Sequence, residues 1–577
     1  MQEARKRVLR CDALRVQRAL VRIATRGLGG CSLAWSIVAP LHAQTSVGEQ
    51  EQRERAQRAA QQLQQLRTAP DVRLQGPSAT DYHQSALPAE TPCFTITSLQ
   101  LDGPRHAEFA FAQKYLDGYA GRCLGQRGLE LIRQRVGDLI LARGYVTTRV
   151  VIAEQNLASG RLQLTVVPGT LGAVRYAPGS ATVNWQSALP LRPGDLLNLR
   201  AIEQGLEQFK RVPSQEVKID IAPGAVPGTS DLVLTVTRSK FWRITLNQDD
   251  SGADATGKEQ GGISLALDQP LGINDLLTLG VTHSVGRYRG DKGTHGNNFS
   301  YSVPWGNWTF NLASYDYGYQ QLVDGSLRSF RFTGSSPTRQ VSATRLIQRN
   351  AVSKTSVQLT MSGRQAESRI DGVEIQTQHR QTRSAELALI HRRYIGAAQL
   401  DIRLAYRRGV PWFGGQWTAG TQGNPTFRYG ITTLDASLNL PFQAAAQQWL
   451  WTSELRAQAT GDHLYIEDYL TIAGRYTVRG FDGNETLGGD HGAYWRNTLA
   501  WPLWNTGAAL YGGIDVGRAG GDVARSLASH SLSGTVLGLR GGRWGLNWDV
   551  FLGWSLQAPD GFHTRRPTAG MQWIYSF

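Results

Sequence analysis

The stretch Leu434-Asp435-Ala436-Ser437-Leu438-Asn439-Leu440 alternates apolar and polar side chains at every step. A period of two marks an extended strand with two unlike faces. One face here is aliphatic; the other carries a carboxylate, a hydroxyl and an amide. The alternation recurs at Ile263, Leu265 and Leu267, at Leu277, Leu279 and Val281, at Trp308, Phe310 and Leu312, and at Met571, Trp573, Tyr575 and Phe577. Short turn sequences such as Pro304-Trp305-Gly306-Asn307 alternate with longer polar loops such as 286–297. Short turns at one end and long loops at the other are the pattern of an outer-membrane barrel, apolar outside and polar inside. Roughly 337 residues from Phe241 onward, at about 21 per strand and loop, give about sixteen strands, an even number. A soluble β-sandwich or propeller is the competing reading, and the exported start of the chain argues against it.

Composition alone points the other way. Charged residues make up 19% of the 577 and mean hydropathy is -0.32, values of a soluble protein. Barrel strands, however, average lipid-facing and lumen-facing residues to near neutrality. The net charge is +15. Part of it sits in the leader, where Arg5, Lys6, Arg7, Arg10, Arg15, Arg18, Arg22 and Arg26 face only Glu3 and Asp12. The rest is scattered, so no nucleic-acid partner is expected.

The basic leader runs into Leu33-Ala34-Trp35-Ser36-Ile37-Val38-Ala39 and exits at Leu41-His42-Ala43, which reads as a signal peptide over 1–43. Leu28-Gly29-Gly30-Cys31 is faintly like a lipoprotein cleavage box, but Arg22 and Arg26 interrupt the apolar run that should precede one. No later run of about 18 apolar residues exists, which excludes a helical span. Export, many alternating strands and no apolar helix together point to an outer membrane. In the mature chain Cys93 and Cys123 form an even pair, which reads as one disulfide; two buried free thiols are the alternative.

Before the barrel (240–577) the chain divides further. Residues 44–67 hold a Gln-rich polar helix with a thin apolar face of Ala56, Ala60, Leu63 and Leu66, marginal alone. Residues 68–90 read as a linker, with Pro70, Pro77 and Pro88. Residues 91–168 read β-α-α-β-β: a strand at 94–101, a helix near 109–116, a second helix with Leu129, Ile132, Val136, Leu139 and Ile140 on one face, then strands at Tyr145–Ala153 and Arg161–Val167. Residues 169–239 repeat the plan loosely, with Leu199, Ile202, Leu206 and Phe209 at helical spacing. The fold class is thus α+β domains followed by an all-β barrel. No Ser/His/Asp arrangement appears, and His283, His295, His463 and His491 are scattered. Neither an enzyme, a metal site nor a cofactor is expected.

One loop stands out late in the barrel: Arg475-Tyr476-Thr477-Val478-Arg479-Gly480-Phe481-Asp482-Gly483-Asn484. Gly480 after Arg479 allows a sharp bend at a charged tip, and a cation inside a polar barrel needs an anion.

With these residues in view the chain resembles the outer-membrane transporters of two-partner secretion, the TpsB or haemolysin-transporter family. Pro92-Cys93-Phe94-Thr95-Ile96, Cys123-Leu124 and Gly144-Tyr145-Val146-Thr147-Thr148-Arg149-Val150 are similar to its first polypeptide-transport-associated (POTRA) domain. The stretch from Pro193 to Leu206, with Arg211-Val212-Pro213-Ser214, resembles the second. Val478-Arg479-Gly480-Phe481 matches the family's loop tip. The resemblance implies that the loop folds into the lumen and that Arg479 pairs with Asp515 of Gly513-Ile514-Asp515-Val516-Gly517. Asp515 shares strand parity with Gly513 and Gly517, and glycines there leave room for an incoming loop. It further implies that the Gln-rich helix threads the barrel as a plug, and that POTRA domains capture an unfolded exported partner by strand addition. The implied partners are a secreted exoprotein with an N-terminal two-partner secretion domain, outer-membrane lipid, and the barrel-assembly machinery, which would read the final strand at Trp573, Tyr575 and Phe577. An insertase of the same superfamily and a passive porin are the rival readings.

Overall fold

The computed structural model describes residues 82–577 apart from 287–289, 419–422, 504–505 and 522–529, together with 70–74 and positions 57, 58, 61, 64, 65 and 68. The signal-peptide reading over 1–43, and the start of the helix reading over 44–56, lie outside the described residues.

The first α+β domain is built on helices α1 (Ala110–Asp117) and α2 (Gln126–Ala142). Its sheet places Ser98–Asp102 parallel to Arg161–Val167, which pairs antiparallel with Arg149–Val151. Ile132, Val136 and Ile140 of α2 and Leu162, Leu164 and Val166 of the sheet share one buried core. A separate ribbon pairs Phe94–Ile96 with Arg122–Leu124. A disulfide joins Cys93 to Cys123 beside that ribbon, with Cα atoms 5.4 Å apart. Gly125 precedes α2 and has no side chain with which to cap it. The Glu90 carboxylate does so instead, accepting from the Arg127 and Gly128 amides at 2.8 Å each.

The strand expected over Tyr145–Ala153 is shorter, Arg149–Val151. Gly144, at φ 96°, ends α2, and the next residues stay in a turn because Tyr145 is held against Phe109, ring centroids 5.1 Å apart.

The second α+β domain carries α3 (Trp185–Ala188) and α4 (Leu199–Lys210) over a sheet in which Thr229–Arg238 lies between Thr170–Tyr176 and Gln215–Pro223. Asn198 caps α4 by accepting from the Arg200 amide at 2.8 Å. A Cβ at Gly205 would collide with the Leu189 side chain, so α4 needs a glycine there to lie this close to the segment after α3.

From Trp242 the chain becomes a closed antiparallel barrel of sixteen strands, the last (Thr568–Ser576) pairing with the first (Trp242–Asp249). Two of the sixteen are broken once: Ser329–Ser335 continues as Thr338–Arg349, and Val373–Glu374 as Arg380–Ile395. Ile263, Val281 and Val341 point outward and are more than half exposed, as lipid-facing residues must be. Their neighbours Ser264, Thr282 and Ser342 point inward. The final strand sends Met571 and, past its end, Phe577 outward, both exposed. Trp573 and Tyr575 share their parity, and Tyr575 stacks edge-on against Phe577 at 4.6 Å. Among the described residues no helix is long and apolar enough to cross a membrane.

The second domain docks on the barrel end that carries the short turns. The Gly306 amide donates to the Ser187 carbonyl at 2.8 Å. Gln208 donates to the Gly306 carbonyl at 3.0 Å. Asp268 accepts from the Ser214 amide at 2.8 Å.

Candidate functional site: the lumen, its folded-in loop and its floor

The connection 460–490, between strands Gln447–Ala459 and His491–Leu503, folds into the barrel and carries its own ribbon, Leu470–Ile472 against Leu487–Gly489. Val478 and Phe481 are buried with Leu470, Ile472, Leu487, Tyr494, Ala519 and Leu532, so the loop has a small apolar core inside the barrel. Arg479 sits at the tip. Its guanidinium donates to both oxygens of Asp515 at 2.7 Å, and its backbone amide donates to Oδ2 at 2.9 Å. Nη2 also donates to Thr498 Oγ1 at 2.9 Å and to the Asn497 carbonyl at 3.2 Å. The Asp515 side chain is fully shielded and that of Arg479 nearly so. Two-point, desolvated contact of this kind is the strong form of an ion pair.

Glycines make the room. A Cβ at Gly513 would lie 2.6 Å from Arg479 Nη2, and one at Gly517 would lie 2.8 Å from a methyl of Val478. Gly480, at φ 102°, is wedged against the Trp554 carbonyl, so both its backbone and its lack of a side chain are required. The structure adds residues that the sequence reading left out. Gly534, the register partner of Asp515, lies under the Arg479 carbonyl. A Cβ at Gly553 would lie 2.9 Å from the Gly480 Cα. Thr498 shares the guanidinium. Arg475 forms a second anchor: it pairs with Asp250 and lies over the Phe551 ring, 5.2 Å from its centroid.

The described positions of the Gln-rich segment are helical. Gln57, Arg58, Gln61 and Gln65 line a lumenal cavity of about 660 Å³, opposite wall residues that include Asn247, Ser264, Thr278, Ser300 and Tyr315. Arg58 lies 5.8 Å from the Tyr315 ring centroid.

Just after that helix, Asp71–Leu74 runs as a strap between α4 and the barrel floor. Glu207 accepts from the Val72 amide at 3.0 Å, and Glu203 from the Leu74 amide at 2.7 Å. The same two carboxylates take Arg349 at 2.9 and 3.0 Å, and Glu207 takes Lys354 at 3.0 Å. Asp71 receives Lys354 at 3.4 Å and the Tyr394 hydroxyl. Burial alone would push the Asp71 carboxyl up, but Tyr394 and Lys354 outweigh it and hold it below its ordinary value. Arg73 stacks on Tyr394 at 3.8 Å. The strap thus ties the helix, the second domain and the barrel at one point.

Among the described residues, Glu367, Glu374 and His379 bring their ligand atoms within 4.8 Å of one another. Arg369 stands 3.6 Å from Glu367, and Glu374 already binds the His379 ring at 2.6 Å. The group is therefore an ion-paired cluster at the loop-side rim.

The family described as haemolysin secretion/activation protein ShlB/FhaC/HecB matches residues 228–541. A ShlB-type POTRA domain matches 94–169, and a further POTRA domain matches 170–223. The outer membrane transporter CdiB-2 of Burkholderia pseudomallei (strain 1026b) is 39% identical over 551 residues, 92% of this chain and 94% of that protein. The hemolysin transporter protein ShlB of Serratia marcescens is 27% identical over 83% of this chain and 82% of its own length. Among solved structures, CdiB from Escherichia coli superposes with a TM-score of 0.82 at 25% identity, covering 93% of this chain and all of that one. The two α+β domains are POTRA domains, and the chain belongs to the ShlB/FhaC/HecB family of haemolysin secretion/activation proteins.

Proposed function

We propose that this chain is an outer-membrane pore that takes a large unfolded exoprotein from the periplasm and passes it to the cell exterior, as in two-partner (type Vb) secretion. The observation that carries the reading is the joining of two POTRA domains to the floor of a polar-lined, sixteen-stranded barrel in a chain of this family. The POTRA domains face the periplasm, and the long loops face outward. The partner carries an N-terminal two-partner secretion domain. It is a haemolysin, an adhesin or a contact-dependent toxin; the chemistry of the pore is common to all three. Bonding to Asp515 makes Arg479 the lock of the folded-in loop, and the Gln-rich helix is a plug. The outward aromatics Trp573, Tyr575 and Phe577 sit in outer-membrane lipid and present the strand end that barrel-assembly machinery reads.

The test is co-expression with an exoprotein bearing such a domain in a Gram-negative host. The exoprotein should reach the medium with this chain and stay in the periplasm without it. Unchanged retention, with altered levels of other barrels in the outer membrane, would favour the insertase reading instead.

A further inference from the structure

Two stretches of the inner wall of the barrel are unlike. Register fixes which residues face inward, because their neighbours along each strand are the exposed apolar ones. Across strands Gln260–Asp268, Leu276–Ser284, Gly293–Trp305, Trp308–Asp324 and Thr338–Arg349, the inward residues are hydroxyls, amides, glycines and a few apolar or tyrosine side chains. Ser264, Thr278, Asn298, Ser300, Asn311 and Ser342 are typical. Among the described residues of these five strands, only Asp268 and Arg349 face inward with charge. Both lie at the floor and are held there, Asp268 by the Ser214 amide and Arg349 by Glu203 and Glu207.

The stretch formed by strands Arg380–Ile395, Ala398–Gly409, Gly430–Ala444, Gln447–Ala459 and His491–Leu503 is dense with charge, paired as follows. Arg392 pairs with Asp401 at 2.6 Å, Arg456 with Asp435 at 2.8 Å, Arg496 with Glu454 at 3.4 Å and Arg407 with Asp468 at 3.1 Å, while Arg403 bridges Glu386 and Asp435. One of these, Arg407–Asp468, also braces the folded-in loop, in which Asp468 lies.

We infer that the uncharged wall is the track along which the exported chain moves: an interaction surface for an extended polypeptide, contacted through main-chain amides and neutral polar side chains. This rests on the translocation reading above. Two observations favour such an occupant. First, the segment already lying against this wall offers it three amide side chains of the chemistry proposed, Gln57, Gln61 and Gln65, and a single charge, Arg58, which meets the face of the Tyr315 ring. Second, a passing chain presents both charge signs in turn. A fixed unpaired charge would hold one and repel the other, whereas hydroxyls and amides give weak, interchangeable contacts that permit entering and leaving. The charge-paired stretch is scaffold.

The test uses the full chain and the exoprotein whose secretion the preceding experiment establishes, stalled in transit by a folded domain fused to its C-terminus. Single cysteines in the stalled stretch are offered to Ser300→Cys or Thr278→Cys on the uncharged wall, and to Asn439→Cys or Glu454→Cys on the other. Cross-linking concentrated at Ser300→Cys and Thr278→Cys is the expected result. Equal or stronger cross-linking at Asn439→Cys and Glu454→Cys overturns the track while leaving translocation intact. Failure of the unstalled exoprotein to reach the medium with the unmodified chain removes the translocation reading itself. As a second readout, Ser300→Arg and Ser300→Asp should each lower secretion several-fold, with Ser300→Asn near normal and the barrel still resistant to unfolding in detergent. Full secretion by both charged variants overturns the proposal.

Discussion

Gly534 faces Asp515 across the barrel ladder, and any side chain at 534 would run into the carbonyl of Arg479. The wall strand and the loop tip are therefore fitted at two places, the ion pair and the bare backbone beside it. Arg479→Ala leaves a fully shielded carboxylate without its partner, which costs on the order of 3–5 kcal/mol. Gly534→Val should loosen the loop without touching either charge. In both variants limited trypsin digestion should cut within 475–484, whereas burial of Val478, Arg479 and Phe481 should keep that segment intact in the unaltered chain. Continued protection would show that the apolar core of Val478, Phe481 and Leu470 holds the loop alone.

The strap makes a separate prediction. Glu203 is fully buried and serves Leu74, Arg200 and Arg349 together. Glu203→Gln should weaken the strap, because Arg200 loses its carboxylate and Arg349 keeps only Glu207. A Leu74→Cys reporter should then react with maleimide faster in the Glu203→Gln background. The same rate in both backgrounds would show that packing of Val72, not charge, holds the strap.

Deleting 45–67 should raise single-channel conductance in planar bilayers, because Gln57, Arg58, Gln61 and Gln65 line the lumenal cavity. Conductance equal to that of the full chain would mean that the helix does not restrict the pore.

Glu90 gives a pH-dependent expectation. The Gly128 amide, then that of Arg127, hold its carboxyl below the usual range against the cost of desolvation. A depressed folded value means that the cap's contribution is fully present above the unfolded-chain value and is lost as pH falls through the folded one. Glu90→Gln should lower hydrogen-exchange protection in the first turn of α2 at neutral pH. The unaltered chain should lose that protection only on acidification below the ordinary carboxylate range. Equal protection in both at neutral pH would show that the cap adds nothing.

The barrel was legible because lipid and lumen impose opposite chemistry on alternate residues, so Leu434, Ala436 and Leu438 report their face without any knowledge of their neighbours. The helices were legible for the same local reason, as Ile132, Val136 and Ile140 show. What stayed hidden depends on partners far apart in the chain. Asp71, Glu203 and Arg349 are ordinary surface-like charges until the fold stacks the second POTRA domain on the barrel floor. Gly534 and Gly553 look like any others among 64 glycines; only register shows that they lie under Arg479 and Gly480. The loop motif and Asp515 were found because a family pattern pairs them, which alternation alone could not do.

If the Gln-rich helix is the plug proposed above, the strap sets what it does on leaving the lumen. With Asp71 fixed to Lys354 and Tyr394, the helix is moored only a few residues beyond its last described turn. A segment on so short a tether stays at an effective concentration in the millimolar range beside its seat. For a helix that plugs the pore as proposed, weak affinity for the lumen would then be enough to close it again after each passage, with no further source of energy.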